Sequence, residues 1–393
     1  MRSDGTMVEF NPFMAGTDDD PYPTYAWLRD EDPVYHSERH GFYAVSRFAD
    51  VEAVSRAWQR FSNAQGIDID QTGDLFGPNF ITSDPPDHRL TRRLLQHRFS
   101  PRAISDAIEP LVRDQVNELV AKVAGNNAVD VGRELAWPLP FSIACHLLGF
   151  PSEDREFLWD ASQRFEERQV GRSVAPEVAE RAAAELRLYV AEQAAGRRRN
   201  PGHDLVSLLV SAEIDGKPLS ELEIVGNTFA LFNAGTQTTA CLLTNALVLL
   251  GSHPEQLAWL TRNPDRVPDA VEEFLRFEAP VQHFTRTTTE EVSMHGIRIP
   301  HGSKVVLLYG AANRDPREWI DPERLDLSRE PRRHVAFGEG IHFCLGAPIA
   351  RLEGRIALEA LLPHLRNYRL TDPPTRLRSH QLRGYVSVPA ALA

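Results

Sequence analysis

Of the chain's cysteines, Cys145, Cys241 and Cys344, only the last has neighbours that suggest chemistry. It stands in the run Phe337-Gly338-Glu339-Gly340-Ile341-His342-Phe343-Cys344-Leu345-Gly346. Gly338 and Gly340 allow tight bends that bring backbone close to something flat or bulky. The cysteine then sits at a predicted helix start, where free N–H groups and the helix dipole favour an anion. A depressed pKa and a thiolate are expected there, which suits a nucleophile or a metal ligand. The bland alternative is a small buried hydrophobe. That alternative suits Cys145 (SIACHLLGF) and Cys241 (TTACLLTNA), both inside apolar helical stretches. It suits Cys344 badly, because packing needs neither two glycines nor a histidine at this spacing. Pro348 fits the first-turn preference of proline.

A second polar cluster, Ala234-Gly235-Thr236-Gln237-Thr238-Thr239, interrupts an apolar helical stretch from Ile224 to Leu250. Glycine and threonine are poor material for the middle of a core helix. Threonine hydroxyls bond to carbonyls of the preceding turn and bend the helix. Taken alone, the cluster reads as a polar crossing between helices. Asn233, one residue earlier, either bonds a polar group of a ligand or caps neighbouring backbone. Glu273 and Arg276, at i and i+3, face the same way and can pair; a surface pair of this kind contributes ~0–1 kcal/mol. His88 and Arg92, at i and i+4, also share a face. Other signatures fail. There is no H-E-x-x-H, G-x-S-x-G or Walker loop. The glycine run begins like a dinucleotide fingerprint, but Phe343 stands where the third glycine belongs. No C-x-x-C-H is present, so covalent c-type haem attachment is excluded.

The cysteine run closely resembles the haem-ligand signature of the cytochrome P450 superfamily, specifically its soluble bacterial members: Phe337, Gly338, Gly340, His342, Cys344 and Gly346 all match. By that resemblance Cys344 is the axial thiolate of the iron of haem b, and Phe337 packs beside it under the porphyrin. A thiolate pushes electron density onto iron and favours O–O cleavage. The resemblance covers essentially the whole chain in order. His88 and Arg92, Arg286 and His342 match partners of the haem propionates, and arginine's planar fork suits such carboxylates. Glu273 and Arg276 match the family's E-x-x-R, and Arg324 matches the arginine that completes its ion-pair triad. Ala234, Gly235 and Thr238 match the place where the long helix opens for dioxygen. Gln237 departs from the pattern, since the family usually has Asp or Glu before that threonine. An amide hydrogen-bonds but does not ionise, so a different proton route is expected. The substrate pocket implied by position comprises the loop 66–82, Ala230, Asn233, Ala234, Val281, Phe284, Tyr385 and Val386.

The resemblance implies a monooxygenase that hydroxylates or epoxidises an apolar small molecule with O2 and two electrons. A haem domain filling residues 1–393 leaves no fused reductase. A separate ferredoxin-type donor with an NAD(P)H-dependent reductase is implied, docking near Cys344 where Arg332 and Arg333 lie. A peroxide-driven haem-thiolate peroxygenase is one alternative. A haem ligand sensor or carrier is another, with Thr238 counting against it.

The elements that must hold these residues follow from periodicity. Helical spacing dominates from His88 to Phe277, broken at 149–151, 200–202 and 252–254, and returns over 347–365. Extended, β-branched and aromatic runs occupy Val34–Arg47, Phe284–Leu308 and His380–Val388. The class is mainly α (α+β): a triangular helical body over about 87–278 and 347–365, with a small β-rich lobe from about 33–56, 281–314 and 380–390. Strands from both ends of the chain are expected to share one sheet. The 393 residues carry 43 Lys and Arg against 55 Asp and Glu, a net charge of −12. That argues against a nucleic-acid partner. No run of 18 uninterrupted apolar residues occurs, so no membrane span is expected. The amino terminus lacks the apolar core of a signal peptide. Widely spaced cysteines fit a reducing compartment, and the cytoplasm is the expected location.

Overall fold

The computed structural model describes residues 9–69, 77–165, 176–214, 216–331 and 333–392. Its spine is the helix Glu221–Ser252, 32 residues long. A capping box opens it: the Ser220 hydroxyl accepts from the Glu223 N–H, and the Glu223 carboxylate accepts from the Ser220 N–H. From Ile224 to Ser252 the sequence holds no charged residue, as a helix surrounded by protein requires. Helices Pro138–Leu148, Glu177–Arg199 and Ala347–Leu361 pack around it, and Val267–Phe277 lies against the last of these. Leu242, Val271, Phe274, Leu352 and Ile356 meet in the largest apolar core. Gly149, Asn200 and His253, at the three predicted breaks, each cap a helix.

The main sheet has the order Val34–Ser37, Phe42–Val45, Lys304–Leu308, His283–Thr288, Phe61–Ser62. Phe42–Val45 runs parallel to Lys304–Leu308, and the other neighbours are antiparallel. This sheet carries Arg286 to the edge of the helical body.

Three expectations need correction. Residues 48–56 form the helix Phe48–Arg56, not part of a strand region. Phe48, Val51 and Val54 are buried at three-residue spacing, which is helical. The carboxy-terminal tail does not join the main sheet. Tyr385–Ser387 pairs with Thr375–Arg376, while Pro389–Ala391 lies between Val129–Asp130 and Arg369–Leu370. Finally, two-residue strands at Val129–Asp130, Glu213–Ile214 and Lys217–Pro218 interrupt the helical region. They are too short for alternation to show. Residues 70–76 of the anticipated pocket loop, and Arg332, lie outside the described residues. Among the described residues, no helix is long and apolar enough to cross a membrane.

Candidate active site

The cysteine loop bends through Gly338 at φ 68° and Gly340 at φ 74°, both in the left-handed region that favours glycine. A Cβ on Gly340 would lie 2.6 Å from the Ser55 carbonyl oxygen, so the loop also needs that hydrogen atom. The Cys344 N–H donates to the Phe337 carbonyl at 2.9 Å, closing the loop. Arg92 donates to the Phe343 carbonyl at 2.6 Å, and the Arg351 guanidinium lies 4.5 Å from the centre of the Phe337 ring. Cys344, Phe337, Gly338 and Gly346 all line one large cavity, which lies between this loop and the long helix. Cys344 is open to that cavity rather than to bulk water.

The expected depression of the Cys344 pKa is not found. Burial pushes the thiol above its ordinary value; the Gly346 N–H, Arg92, the Ala347 N–H and Arg351 offset this only in part. A helix start alone does not outweigh desolvation here. A thiolate needs a positive partner at the sulfur, which a bound metal supplies.

At one edge of the cavity the structure gathers the four basic groups anticipated for the propionates: Arg92, Arg286 and His342 line it, and His88 packs against His342. His88 comes from the helix Asp87–Gln96, Arg92 from one turn later, Arg286 from the sheet, and His342 from the cysteine loop. The two imidazole rings lie 4.3 Å apart. Nε2 of each is buried with no hydrogen-bond partner. Neither Arg92 nor Arg286 is in an ion pair with a described carboxylate, and Arg286 donates to the Thr285 carbonyl at 2.8 Å. Burial, then the neighbouring cations, hold His342 far below the usual imidazole value; burial and Arg92 bring His88 down to about 4. Such a set fits haem well: a sulfur for iron, an apolar slot for the ring, and unneutralised donors for two carboxylates.

The opposite wall is the long helix. Ala230, Asn233, Ala234, Gly235, Gln237 and Thr238 all face the cavity. The helix continues unbroken through this segment, but the Thr238 hydroxyl donates to the Ala234 carbonyl at 2.9 Å and the Thr236 hydroxyl to the Asn233 carbonyl at 3.2 Å. Gln237 is 2% exposed; its amide N–H donates to Asn233 Oδ1 at 3.3 Å, and its own Oε1 has no partner. Asn233 therefore meets the neighbouring amide side chain. Val281 and Phe284 line the cavity as anticipated, whereas Tyr385 and Val386 do not. The chain reaches the cavity earlier, at Gln381 and Leu382. By Gly384 it lies against the back of the long helix, where a Cβ would be 2.5 Å from Cys241 Sγ. Tyr385 then donates its N–H to Thr244 Oγ1 at 3.2 Å, beyond the oxygen-side segment.

The Glu273–Arg276 pair is structural rather than a surface bridge. Both side chains are fully buried, with bonds of 2.7 and 2.8 Å between them. Arg276 also donates to the carbonyls of Asn313 and Pro322, tying the helix Val267–Phe277 to the irregular segment before the cysteine loop. The anticipated third member, Arg324, is 66% exposed and turns to Asp326 at 3.6 Å. Arg329 takes its place, with Nε 3.3 Å from Glu273 Oε1. The Arg324 contribution to the knot is its carbonyl, 3.4 Å from Arg276.

One cavity residue escaped the reading of motifs. Glu353, on the cysteine-side helix, lines the cavity and is 2% exposed. Its signal was present: Glu353 shares a helical face with Ile349, Ile356 and Ala357, all apolar and buried.

Comparison with known proteins agrees with this geometry. The family model described as Cytochrome P450 matches residues 173–387. Cytochrome P450 130 of Mycobacterium tuberculosis is 36% identical, aligned over 93% of this chain and 93% of that protein. Erythromycin C-12 hydroxylase of Saccharopolyspora erythraea is 38% identical over 89% of this chain and 88% of its own. The crystal structure of CYP109E1 from Bacillus megaterium in complex with testosterone superposes with a TM-score of 0.88 at 30% identity, covering 95% of this chain and 97% of that one. The thiol loop, the cation rim and the threonine-bearing helix thus sit in the frame that these relatives share: the chain belongs to the cytochrome P450 family and is a haem-dependent monooxygenase.

Proposed function

We propose that this monooxygenase hydroxylates or epoxidises an apolar molecule of steroid or macrolide size, in the cytoplasm, with electrons from a separate acidic ferredoxin-type donor and its NAD(P)H-dependent reductase. The carrying observation is the apolar part of the cavity's wall, which includes Ile81, Ala230, Leu231, Val281, Phe284 and Leu382. Two relatives point the same way, one bound to testosterone and the other a hydroxylase of erythromycin. Free Cys145, Cys241 and Cys344 fit a reducing compartment.

Haem b, when bound, supplies oxygen activation: O2, two electrons and two protons yield one inserted oxygen atom and one water. The chain's own groups do the rest. Cys344 would hold the iron through sulfur, with Phe337 packed beside the loop. Arg92 and Arg286 would offset the charge of the propionates, and His88 and His342 would hydrogen-bond them. Ala234 and Gly235 leave space beside the helix for dioxygen; a Cβ on Gly235 would meet only Ala144, at 3.7 Å, so its protein neighbours do not demand glycine. The Thr238 hydroxyl, resting on the Ala234 carbonyl, is placed to pass a proton. The apolar wall excludes water from the reacting carbon.

The donor's docking surface needs revision. Arg333, anticipated for this role, is held by Glu52 and Glu318. Exposed Arg89, Arg93 and Arg98 are in no ion pair with a described residue, and their helix and the turn after it adjoin the cysteine loop through Arg92. They suit an acidic partner.

Titrating the haem-loaded protein with testosterone and with an erythromycin-type macrolide tests the substrate class. The absorption shift caused by displacing iron-bound water is expected with at least one of them and not with glucose. A response to neither apolar probe overturns the size and class assigned. Product formed with a surrogate ferredoxin system, but not with peroxide alone, separates the oxygen-dependent enzyme from a peroxygenase.

A further inference from the structure

Three elements meet on one carboxylate beside the cysteine loop. Glu272 comes from the helix Val267–Phe277, Arg351 from the helix Ala347–Leu361, and His334 from the irregular segment that enters the loop. Arg351 grips the carboxylate with two bonds, Nε to Oε1 at 2.7 Å and Nη2 to Oε2 at 2.8 Å. His334 Nε2 lies 3.0 Å from the same Oε2. The other ring nitrogen, Nδ1, accepts the Ala336 N–H at 3.2 Å, so the ring's hydrogen is on Nε2 and points at Glu272. Burial disfavours the Glu272 charge, but the bonds from His334 and Arg351 outweigh it and hold the carboxyl down at about 2. Glu272 is ionised at neutral pH.

None of the three residues lines the cavity. Their arrangement aims a cation. The Arg351 guanidinium lies 4.5 Å from the centre of the Phe337 ring, and the His334 ring is 5.8 Å from that same ring. A planar guanidinium is held well on an aromatic face. The Phe337 carbonyl in turn accepts the Cys344 N–H at 2.9 Å, so Arg351 rests on the loop that presents the sulfur. Burial raises the Cys344 thiol; the Gly346 N–H, Arg92, the Ala347 N–H and Arg351 act the other way. Two side-chain cations therefore reach the sulfur. Arg92 is fixed by the Phe343 carbonyl and lines the cavity. The Arg351 side chain is 38% exposed, and no other described acid pairs with it. Without Glu272 it is free to turn to water.

Resting on the monooxygenase reading above, we propose that Glu272, steadied by His334, is a positioning residue that holds Arg351 over Phe337. There its charge favours electron uptake by the haem that Cys344 holds. The step is one electron from the ferredoxin-type donor, which reduces ferric haem to ferrous, and the cluster moves no proton. Reduction adds a negative charge close to the sulfur, and a fixed cation beside it stabilises the product.

The sign of one substitution separates this from a simple effect of charge. If Glu272 acted only as a negative charge, removing it would favour reduction. If it acts by aiming Arg351, removing either residue disfavours reduction, and removing both does little more.

The test compares haem-loaded wild type, Arg351→Ala, Glu272→Ala and the double variant, without substrate. Absorption against a redox dye gives the ferrous-to-ferric ratio at a fixed potential near the wild-type midpoint. Arg351→Ala and Glu272→Ala are each expected to lower that ratio about 3-fold or more. For a one-electron couple, at 59 mV per tenfold, that is a shift of about 28 mV to the negative. The double variant should lie within about 1.5-fold of Arg351→Ala. A raised ratio in Glu272→Ala overturns the proposal, as does an unchanged ratio in Arg351→Ala or a double variant in which the two effects add. Lower thermal stability with an unchanged ratio also overturns it, since that marks a purely structural clamp. Should an alanine variant fail to take up haem, Arg351→Lys and Glu272→Asp carry the same test. Each keeps its charge but loses the two-bond fork, and each should lower the ratio by less. An unchanged or raised ratio in both overturns the proposal. A wild type whose reduced carbon monoxide complex lacks the thiolate band would instead sink the haem-thiolate reading, and the proposal with it.

Discussion

Arg286 is 4% exposed, yet its guanidinium meets only a carbonyl and the Tyr309 hydroxyl among the described residues. Removing a buried cation from its counter-charge costs several kcal/mol, so the site is built for an anion. Hydrogen bonds to charged groups contribute about 1.5–3 kcal/mol each. Arg286→Leu is therefore expected to speed haem loss to apomyoglobin by about 10- to 100-fold. The haem it retains should still show the thiolate band of the reduced carbon monoxide complex. Cys344→His, in contrast, should move that band to the position of an imidazole-ligated haem. Equal haem retention in Arg286→Leu and wild type would remove Arg286 from the clamp. At this scale the cysteine loop is legible in the sequence, because a loop that must bend twice and present sulfur leaves a contiguous pattern. Protonation states are less legible. The Cys344 thiol is pushed up and not down, because burial depends on what the fold stacks over the loop.

The helix Val267–Phe277 shows how an element is pinned. Its Glu273–Arg276 pair is fully buried, and the surrounding carbonyls of Asn313, Pro322 and Arg324 take up the remaining guanidinium N–H groups. Truncating one partner leaves the other buried and unpaired, at a cost of about 3–5 kcal/mol. Glu273→Ala is expected to lose that much in urea unfolding. Arg329→Ala, which strips the second cation from Glu273, should cost about 1–2 kcal/mol. Arg324→Ala should lie within about 0.5 kcal/mol of wild type, because its side chain faces water. The reverse order for Arg324 and Arg329 would restore the sequence-based triad. Helices are readable here because an apolar stripe repeats every turn: Val267, Ala270, Val271 and Phe274 are all buried. The segment 313–333 has no such period. Its described arginines differ by which carboxylates and carbonyls they reach, and that is decided only when the segment wraps the helix. The same limit explains Tyr385 and Val386. Alternation marks them as strand but does not say that the strand passes behind the long helix.

At the scale of the whole molecule, charge and surface must reconcile. The net charge of −12 would repel an acidic electron donor. Repulsion from distant charges is largely screened, however, because the Debye length is about 10 Å at 0.1 M salt. What the donor meets on contact is local. Around the cysteine loop most arginines are already neutralised: Arg56 by Glu52 and Glu339, Arg333 by Glu52 and Glu318, Arg351 by Glu272. Arg89, Arg93 and Arg98 have no described acidic partner and are exposed. They form a short basic strip on and just past the helix that also holds His88 and Arg92. A donor docked there would stand close to the propionate rim and to Cys344. Electrostatic complementarity of this kind acts mainly on encounter. Replacing all three arginines by glutamate is therefore expected to raise the KM for an acidic surrogate ferredoxin by 10-fold or more, with kcat at saturating donor nearly unchanged. In wild type the second-order rate should fall as salt rises from 0.05 to about 0.3 M. The triple variant should lose that slope or reverse it, since only the overall repulsion is left for salt to screen. Haem content and the thiolate band serve as controls, because none of the three side chains lines the cavity. If KM and salt slope are unchanged in the variant, electrons enter through another face, and the strip is only a solvated one.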